Sequence, residues 1–248
     1  MKNWIFVLAL FFSCGNDEPV DTPATPHPHP SAEDADINLL FLGNSLTYSN
    51  DLPEIICELA LMDNVKIAFT SITKPNYYLE DHWNETEAQQ SIRSNHYDFV
   101  IAQQGPSALP ESQVLLLDYT QKYADVCKEA GSQFALYMVW PSKSLSFDHD
   151  NVIFSYSQAA EKTESLLCPA GLAWKYAWQN DPDLPLYSFD FFHPSVMGSV
   201  LAGLTIYGAI TGEHDFSFVN YEEASWRSEI SHSDYLKLTE AATRSLQE

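Results

Sequence analysis

Short apolar runs alternate with longer segments of helical spacing from Asp36 onward. Uninterrupted apolar runs predict buried strands, over residues 37–42, 65–72, 99–102 and 134–140. Helical spacing of apolar positions separates these runs and continues beyond them, over about residues 51–60, 85–94, 112–130, 152–167 and 195–210. Parallel strands require such crossover helices, so the pattern predicts an α/β protein, a three-layer α/β/α sandwich with a central, mainly parallel sheet.

Several helix ends have recognisable signals. Asp51 is the expected N-cap of the first long helix, with Pro53 in the first turn and Glu54 completing a capping box. Gly131 and Gly212 are expected to end two later helices. A short element is expected near residue 168. Apolar positions at 235, 236 and 238 predict a last helix packed on the sheet.

The first residues have the pattern of an export signal. Lys2 precedes the apolar run at residues 4–12, which Ser13 and Cys14 follow. Cys14 stands where bacterial lipoproteins carry their lipidated cysteine, and an acidic segment follows it. We expect a signal peptide at 1–13, a Pro-rich acidic tether at 14–36 and a single domain at 37–248. The alternative is an ordinary cleaved signal in which Cys14 is incidental.

Composition narrows the possible partners. The 248 residues include 12 basic and 34 acidic side chains, a formal net charge of −22. Such a charge repels phosphate backbones and anionic lipid surfaces, so no nucleic-acid partner is expected. Cys57 and Cys127 fall on apolar helical faces and are expected to be buried free thiols, and with Cys168 they allow at most one disulfide. The spacing of these cysteines is not that of a metal site, and we predict neither a metal nor a cofactor.

Polar residues with catalytic potential follow the predicted strands. In parallel sheets, ligands bind beyond the carboxyl ends of the strands, where Ser45, Gln103 and Trp140 fall. Ser45 comes directly after the first strand and ahead of a helix, so its hydroxyl can stand at the sheet edge. Asp190 and His193 precede the last long helix of the sandwich. A neutral imidazole can activate the serine, and a carboxylate three residues earlier can orient that imidazole.

These two segments together resemble the blocks of the SGNH (GDSL-like) hydrolase superfamily. Gly-Asn-Ser-Leu-Thr at 43–47 stands where the family has Gly-Asp-Ser, and Asp-Phe-Phe-His-Pro at 190–194 stands where it has Asp-x-x-His. The resemblance covers about residues 37–212 and implies a flavodoxin-like fold and a Ser45, Asp190 and His193 triad. It also implies that the backbone N–H of Ser45, a donor at Asn76 and the Gln103 amide form the oxyanion hole, with Gln104 as the alternative to Gln103.

We therefore predict a serine esterase that hydrolyses an acyl ester, in particular an acetyl ester on a carbohydrate, through an acyl-enzyme. The alternatives are a lysophospholipase-type esterase and a catalytically weak glycan-binding lipoprotein on the same fold. The expected partners are a small acyl ester or acylated carbohydrate and, through Cys14, a membrane. No obligate protein partner is inferred. The expected location is the outer membrane or surface of a Gram-negative bacterium.

Aromatic residues near the expected site allow two interpretations. Trp140, Trp174, Tyr176 and Trp178 either stack on sugar rings or pack in the core. His82 either lines the pocket or belongs to the packing and capping of a helix start.

Overall fold

A five-stranded parallel sheet forms the centre of the protein. The computed structural model describes residues 29–248, so the predicted signal peptide, Cys14 and residues 14–28 of the tether lie outside the described residues. The strands are β1 (Ile37–Gly43), β2 (Ile67–Thr73), β3 (Phe99–Ala102), β4 (Gln133–Tyr137) and β5 (Leu166–Cys168). Their order in the sheet is β2-β1-β3-β4-β5, and all neighbouring pairs are parallel.

Helices cover both faces of this sheet. They are α1 (Ser45–Tyr48), α2 (Leu52–Met62), α3 (Leu79–Glu85), α4 (Glu87–Ser94), α5 (Pro110–Ala130), α6 (His149–Thr163), α7 (Ala170–Asn180), α8 (Val196–Thr211) and α9 (His232–Leu246). Helices α2, α7, α8 and α9 pack with one another, and α3 to α6 form a second group. The connection from β1 to β2 moves in one direction across the sheet, and the connections from β2 to β5 move in the opposite direction. Right-handed crossovers therefore place the two groups of helices on opposite faces of the sheet. The predicted three-layer sandwich is confirmed.

The chain between α6 and α8 differs from the prediction. Helix α6 ends at Thr163, with Glu164 in the left-handed region, rather than continuing to residue 167. The apolar residues that follow form β5, the outermost strand of the sheet, and β5 leads into α7. The sequence predicted only one short element in this region. A short apolar run fits a strand and a helix equally well, and here pairing with β4 decides the outcome.

The start of α2 also differs. Asp51 precedes the helix but has left-handed backbone angles, and its side chain makes no capping hydrogen bond. The predicted capping box is therefore wrong. Glu54 instead accepts a hydrogen bond from His29 at 2.7 Å, and the His29 ring contacts Phe69 on β2. The end of the predicted tether thus lies against the domain.

Aromatic residues fill the core behind β4. The rings of Trp140 and Trp174 stack with centroids 3.5 Å apart, and both side chains are fully buried. Tyr176 is also buried, and Trp178 is half-buried beside Trp174. The core-packing interpretation is therefore confirmed for Trp140, Trp174 and Tyr176.

The last helix packs on other helices. Tyr235 and Leu238 on α9 are buried against α7 and α8, whereas Leu236 is exposed. The predicted helix exists, but it forms an outer layer instead of covering the sheet directly. Among residues 29–248, no helix combines the length and apolar character that crossing a bilayer requires.

The three cysteines within residues 29–248 are buried free thiols, as expected for Cys57 and Cys127. Burial raises the pKa of Cys57, Cys127 and Cys168 to about 12. At neutral pH these side chains are protonated thiols without nucleophilic character.

The close approach of α8 to its neighbours gives a stability prediction. A Cβ at Gly198 would lie 2.3 Å from the carbonyl oxygen of Leu186 and 2.5 Å from Trp174 Cζ2, neither of which can move freely. Gly198→Ala should therefore lower the free energy of unfolding by about 1–3 kcal/mol, measured by urea denaturation.

Gly203→Ala on the same helix is the matched control. Its Cβ would approach side-chain atoms of Ile55 and Leu52, which can shift. A smaller loss than that of Gly198→Ala is expected. Equal stability of Gly198→Ala and the wild type would contradict this account of the packing.

Candidate active site

The turn after β1 presents Ser45 at the edge of the sheet. Asn44 has extended backbone angles and caps α1, with its Oδ1 accepting the Leu46 N–H at 3.0 Å. Ser45 is the first residue of this short helix and is half-buried. Gly43, two residues earlier, leaves room for neighbouring side chains, because a Cβ there would lie 2.4 Å from Thr47 Oγ1 and 2.8 Å from Gln103 Nε2, and both would have to move.

The structure brings the three predicted triad residues into contact. Ser45 Oγ lies 2.8 Å from His193 Nε2, and His193 Nδ1 lies 2.5 Å from Asp190 Oδ2. Because a carboxylate can only accept, Nδ1 carries the proton, and Nε2 is left to accept from the serine hydroxyl. This arrangement can activate a serine for attack on a carbonyl group.

Hydrogen bonds hold the Asp190 carboxylate in place. Its Oδ1 accepts from the Ser188 hydroxyl at 3.0 Å and from the backbone N–H groups of Phe192 and His193 at 2.9 Å each. Partial burial alone would raise the pKa of Asp190, but hydrogen bonds from His193 Nδ1, these two amides and Ser188 outweigh it. The pKa of Asp190 therefore lies far below its ordinary value, so the carboxylate is ionised at neutral pH.

The loop that carries Asp190 and His193 is fastened to the residues after β4. Trp140 Nε1 donates to the Phe192 carbonyl oxygen at 3.2 Å, and the Lys143 N–H donates to that of Phe191 at 2.9 Å. Phe191 itself has a left-handed φ of 60°. Trp140 thus acts as a buried support for this loop, a role that neither sequence interpretation included.

The turn after β2 has the backbone geometry expected for Asn76. The Tyr77 N–H donates to the Lys74 carbonyl oxygen at 3.3 Å, and Asn76 has a φ of 60°. Pro75 and Asn76 therefore occupy the two central positions of a type II turn, which favours proline followed by a left-handed residue. The Lys74 N–H donates to the Gly43 carbonyl oxygen at 3.0 Å, which ties the turn to the end of β1.

The N–H groups of Ser45 and Asn76 make no hydrogen bond to another residue within the range 29–248. Backbone donors without a protein partner can bind a negatively charged oxygen. Their joint action on a substrate stays a prediction.

The position of Gln103 differs from the expectation. Its side chain is 0% exposed, and its Nε2 donates to Asn44 Oδ1 at 2.7 Å. The amide therefore lies beneath Gly43 and Asn44, away from the surface where a substrate oxygen would bind, and this geometry does not support an oxyanion role. Gln103 takes this position because Gly43, which has no Cβ, leaves room for it.

Gln104, the alternative donor, is also turned away from Ser45. Its Nε2 donates to Ser107 Oγ at 3.0 Å and to the Ser112 carbonyl oxygen at 3.3 Å. Its side chain is buried and stabilises the loop before α5.

His82 lies beneath the active-site turn instead of lining a pocket. Its buried Nε2 donates to the Gly43 carbonyl oxygen at 2.9 Å, and its ring contacts Tyr77. Burial lowers the pKa of His82. The packing interpretation of this residue is confirmed.

The surroundings of the site are open and aromatic. The phenyl rings of Phe189 and Phe191, on either side of Asp190, are 93% and 53% exposed. A cavity of about 440 Å³ lies beside the same loop, lined by Lys143, Trp178, Tyr187 and Phe191 among others, and neither Ser45 nor His193 belongs to its lining. Within residues 29–248, no cluster of three or more side chains is suited to hold a metal ion.

Solved structures share this architecture. A protein described as an SGNH hydrolase from Slackia heliotrinireducens has 24% sequence identity and a TM-score of 0.59, with 70% of this chain and 98% of that chain covered. A DUF4886 family protein from Bacteroides uniformis has 15% identity and a TM-score of 0.69, covering 85% and 95%. An acetylxylan esterase from Geobacillus stearothermophilus has 16% identity and a TM-score of 0.58, covering 72% and 96%.

The chain has the fold of the SGNH hydrolases, which is the fold that the resemblance of its two sequence blocks implies. No protein-family model and no curated protein matches the sequence.

The hydrogen bonds to Asp190 predict its titration. A carbon NMR titration of the folded protein should place the midpoint of the Asp190 carboxyl group well below about 3.9, its usual value. His193→Ala should raise the pKa, because the strongest lowering hydrogen bond is lost. The carboxylate therefore adds stability that is present above about pH 4 and is lost as the pH falls through the folded-state pKa.

An isolated peptide spanning residues 186–196 provides the reference titration. A midpoint in the folded protein at or above that of the peptide would contradict the hydrogen-bond pattern around Asp190.

Proposed function

We propose that the protein is a serine esterase in which Ser45, His193 and Asp190 hydrolyse an acyl ester. The observation that carries this proposal is the continuous hydrogen-bonded chain from Ser45 Oγ through the imidazole to the Asp190 carboxylate. Solved structures with this fold include esterases and a lipase/acylhydrolase, which supports ester hydrolysis as the reaction class.

The geometry supports a two-stage reaction. Ser45 Oγ attacks the ester carbonyl carbon while its proton moves to His193 Nε2, and the carbonyl electrons move to the oxygen. The tetrahedral intermediate collapses as the C–O bond of the alcohol breaks and Nε2 returns the proton to the leaving oxygen. Water then repeats the sequence on the acyl-enzyme, which releases the acid and restores Ser45.

Asp190 acts through the imidazole. Its carboxylate accepts from Nδ1–H, so the ring keeps the tautomer in which Nε2 can accept a proton, and the imidazolium formed during attack is stabilised. The low pKa of Asp190 keeps this charge available at neutral pH. In the Geobacillus acetylxylan esterase, catalytic mutants change an aspartate and a histidine three positions apart, the spacing of Asp190 and His193.

The backbone N–H groups of Ser45 and Asn76 are the proposed oxyanion donors. Both are without a hydrogen-bond partner in the described part of the chain, and the turn that holds Asn76 is bonded to the residue two before Ser45. Backbone donors fixed in this way need no rearrangement as negative charge develops on the substrate oxygen.

A carbohydrate acetyl ester is the proposed substrate. The names of solved relatives as acetylxylan and acetyl-xylooligosaccharide esterases support it. The exposed rings of Phe189 and Phe191 beside the triad offer apolar surface for a sugar face. The net charge of −22 disfavours an approach to anionic lipid surfaces. We also propose that the protein is exported and anchored to a membrane by a lipid on Cys14. Residues 1–28, which include Cys14, lie outside the described residues.

Kinetics of triad variants test the reaction. Ser45→Ala and His193→Ala should each lower kcat for p-nitrophenyl acetate by about 10⁴-fold or more, as in well-studied serine proteases. Asp190→Asn should have a similar or smaller effect. Ser233→Ala, an exposed serine on α9, is the control and should react as the wild type does. A fluorophosphonate probe should label the wild type and Ser233→Ala but not Ser45→Ala.

Folded wild-type protein that neither hydrolyses esters nor reacts with the probe would refute the enzyme hypothesis. It would favour a glycan-binding protein on the same fold.

A substrate panel tests the specificity. Acetylated xylo-oligosaccharides should be turned over with a higher kcat/KM than p-nitrophenyl acetate, because sugar contacts at the aromatic rim add binding in the transition state. p-Nitrophenyl esters of long acyl chains and lysophospholipids complete the panel. Preference for either of these would reject the acetyl-carbohydrate assignment in favour of a lysophospholipase-type enzyme.

A further inference from the structure

Two buried amide side chains form a pair directly beneath the nucleophile. Gln103 Nε2 donates to Asn44 Oδ1 at 2.7 Å, and both residues are buried. Asn44 immediately precedes Ser45, and Gln103 immediately follows β3. The pair therefore joins the turn after β1 to the end of the neighbouring strand.

Main-chain groups fix the orientation of Asn44. Its Oδ1 accepts from the Leu46 N–H at 3.0 Å, and its Nδ2 donates to the Tyr77 carbonyl oxygen at 2.9 Å. A backbone N–H can only donate and a carbonyl can only accept, so the Asn44 amide has a single allowed orientation. Gln103 must then present its Nε2 to Asn44, because its Oε1 in that position would face another acceptor.

Within residues 29–248, the Gln103 side chain makes one hydrogen bond, the donation to Asn44. Its Oε1 is buried without a hydrogen-bond partner in the described part of the chain. An apolar side chain would avoid the cost of burying that oxygen unpaired. The donation to Asn44 is therefore the interaction that explains an amide at this position.

Asn44 connects three segments of the site. It holds the start of α1 through Leu46, the end of β3 through Gln103, and the turn at residues 74–77 through Tyr77. Asn76 lies inside that turn, one residue before Tyr77. Any shift of the Tyr77 carbonyl relative to Asn44 therefore moves the Asn76 N–H relative to Ser45.

We infer that Asn44, held in place by Leu46, Tyr77 and the Gln103 amide, is a positioning residue that sets the Asn76 N–H against the Ser45 N–H so that both reach one substrate oxygen. This inference rests on the proposed function. It assigns Gln103 a supporting task in place of the direct oxyanion contact expected from the sequence. It also explains an asparagine before Ser45, because an aspartate would place an acceptor oxygen against the Tyr77 carbonyl.

Asn44→Asp tests the contact to Tyr77. The variant keeps acceptors for Leu46 and Gln103 but replaces the donor to Tyr77 with a carboxylate oxygen. We expect kcat for p-nitrophenyl acetate to fall on the order of 10²-fold, as for a misplaced catalytic group, with KM changed little. Asn38→Asp is the matched control, because Asn38, near the start of β1, also donates to a backbone carbonyl, that of Ala32.

Gln103→Met and Gln103→Glu test the donation to Asn44. Gln103→Met removes the donor and should lower kcat roughly tenfold, the value of one ordinary hydrogen bond. Gln104→Met is the control. The wild-type Gln104 amide donates to Ser107 and Ser112 and not to Asn44, so this variant should keep the wild-type kcat. In Gln103→Glu, a protonated carboxyl can donate to Asn44, whereas an ionised one repels it. The ratio of its kcat to that of the wild type should therefore fall as pH rises, and the ratio for Gln103→Met should stay constant.

The outcomes separate the two proposals. Inactive wild type, unlabelled by the fluorophosphonate probe, refutes the proposed function and the inference with it. Active wild type together with wild-type kcat in folded Asn44→Asp and Gln103→Met refutes the inference alone. If one of these variants does not fold, circular dichroism will reveal it, and the other variant and the pH dependence of Gln103→Glu decide.

Discussion

The hydrogen bond between Ser45 Oγ and His193 Nε2 is the interaction on which the account of this protein depends. It joins residues 148 positions apart, at 2.8 Å, and it exists only because the fold brings the end of β1 and the loop before α8 to the same sheet edge. Each partner is fixed by neighbours of its own. Ser45 begins a short helix that Asn44 caps, and His193 is held by Asp190 and by a loop that Trp140 supports.

The site is built in two layers with different chemistry. The outer layer contains the half-exposed serine, imidazole and carboxylate, of which the imidazole is placed to take up and return the proton of Ser45. The inner layer contains buried amides and an imidazole, Asn44, Gln103 and His82, that bond to main-chain groups or to each other. Buried polar groups with fixed partners hold geometry well, since moving them would leave a donor or acceptor unpaired. We infer that the inner layer determines where the outer one can act.

The sequence was sufficient to predict the sheet and the proximity of Ser45, Asp190 and His193, but not the inner layer of the site. Ser45, Asp190 and His193 lie in local motifs at element ends, where spacing alone indicates proximity. The direction of the Gln103 side chain depends on the face of the sheet to which the end of β3 turns it. It also depends on Gly43 in the neighbouring strand, which has no Cβ to fill the space. A local sequence pattern around Gln103 contains neither piece of information. β5 and α7 were predicted only as one short element near residue 168, because pairing with β4 decides the state of a three-residue apolar segment.

The central claim is that Ser45 forms a covalent bond to the acyl group. Acid-quenching the protein during turnover of p-nitrophenyl acetate, followed by mass spectrometry of its peptides, measures this directly. The peptide containing Ser45 should gain the mass of one acetyl group, and the corresponding peptide of Ser45→Ala, treated in the same way, should not. An active protein that carries the acetyl group on another residue, or that shows no adduct under conditions where deacylation is rate-limiting, would contradict this claim.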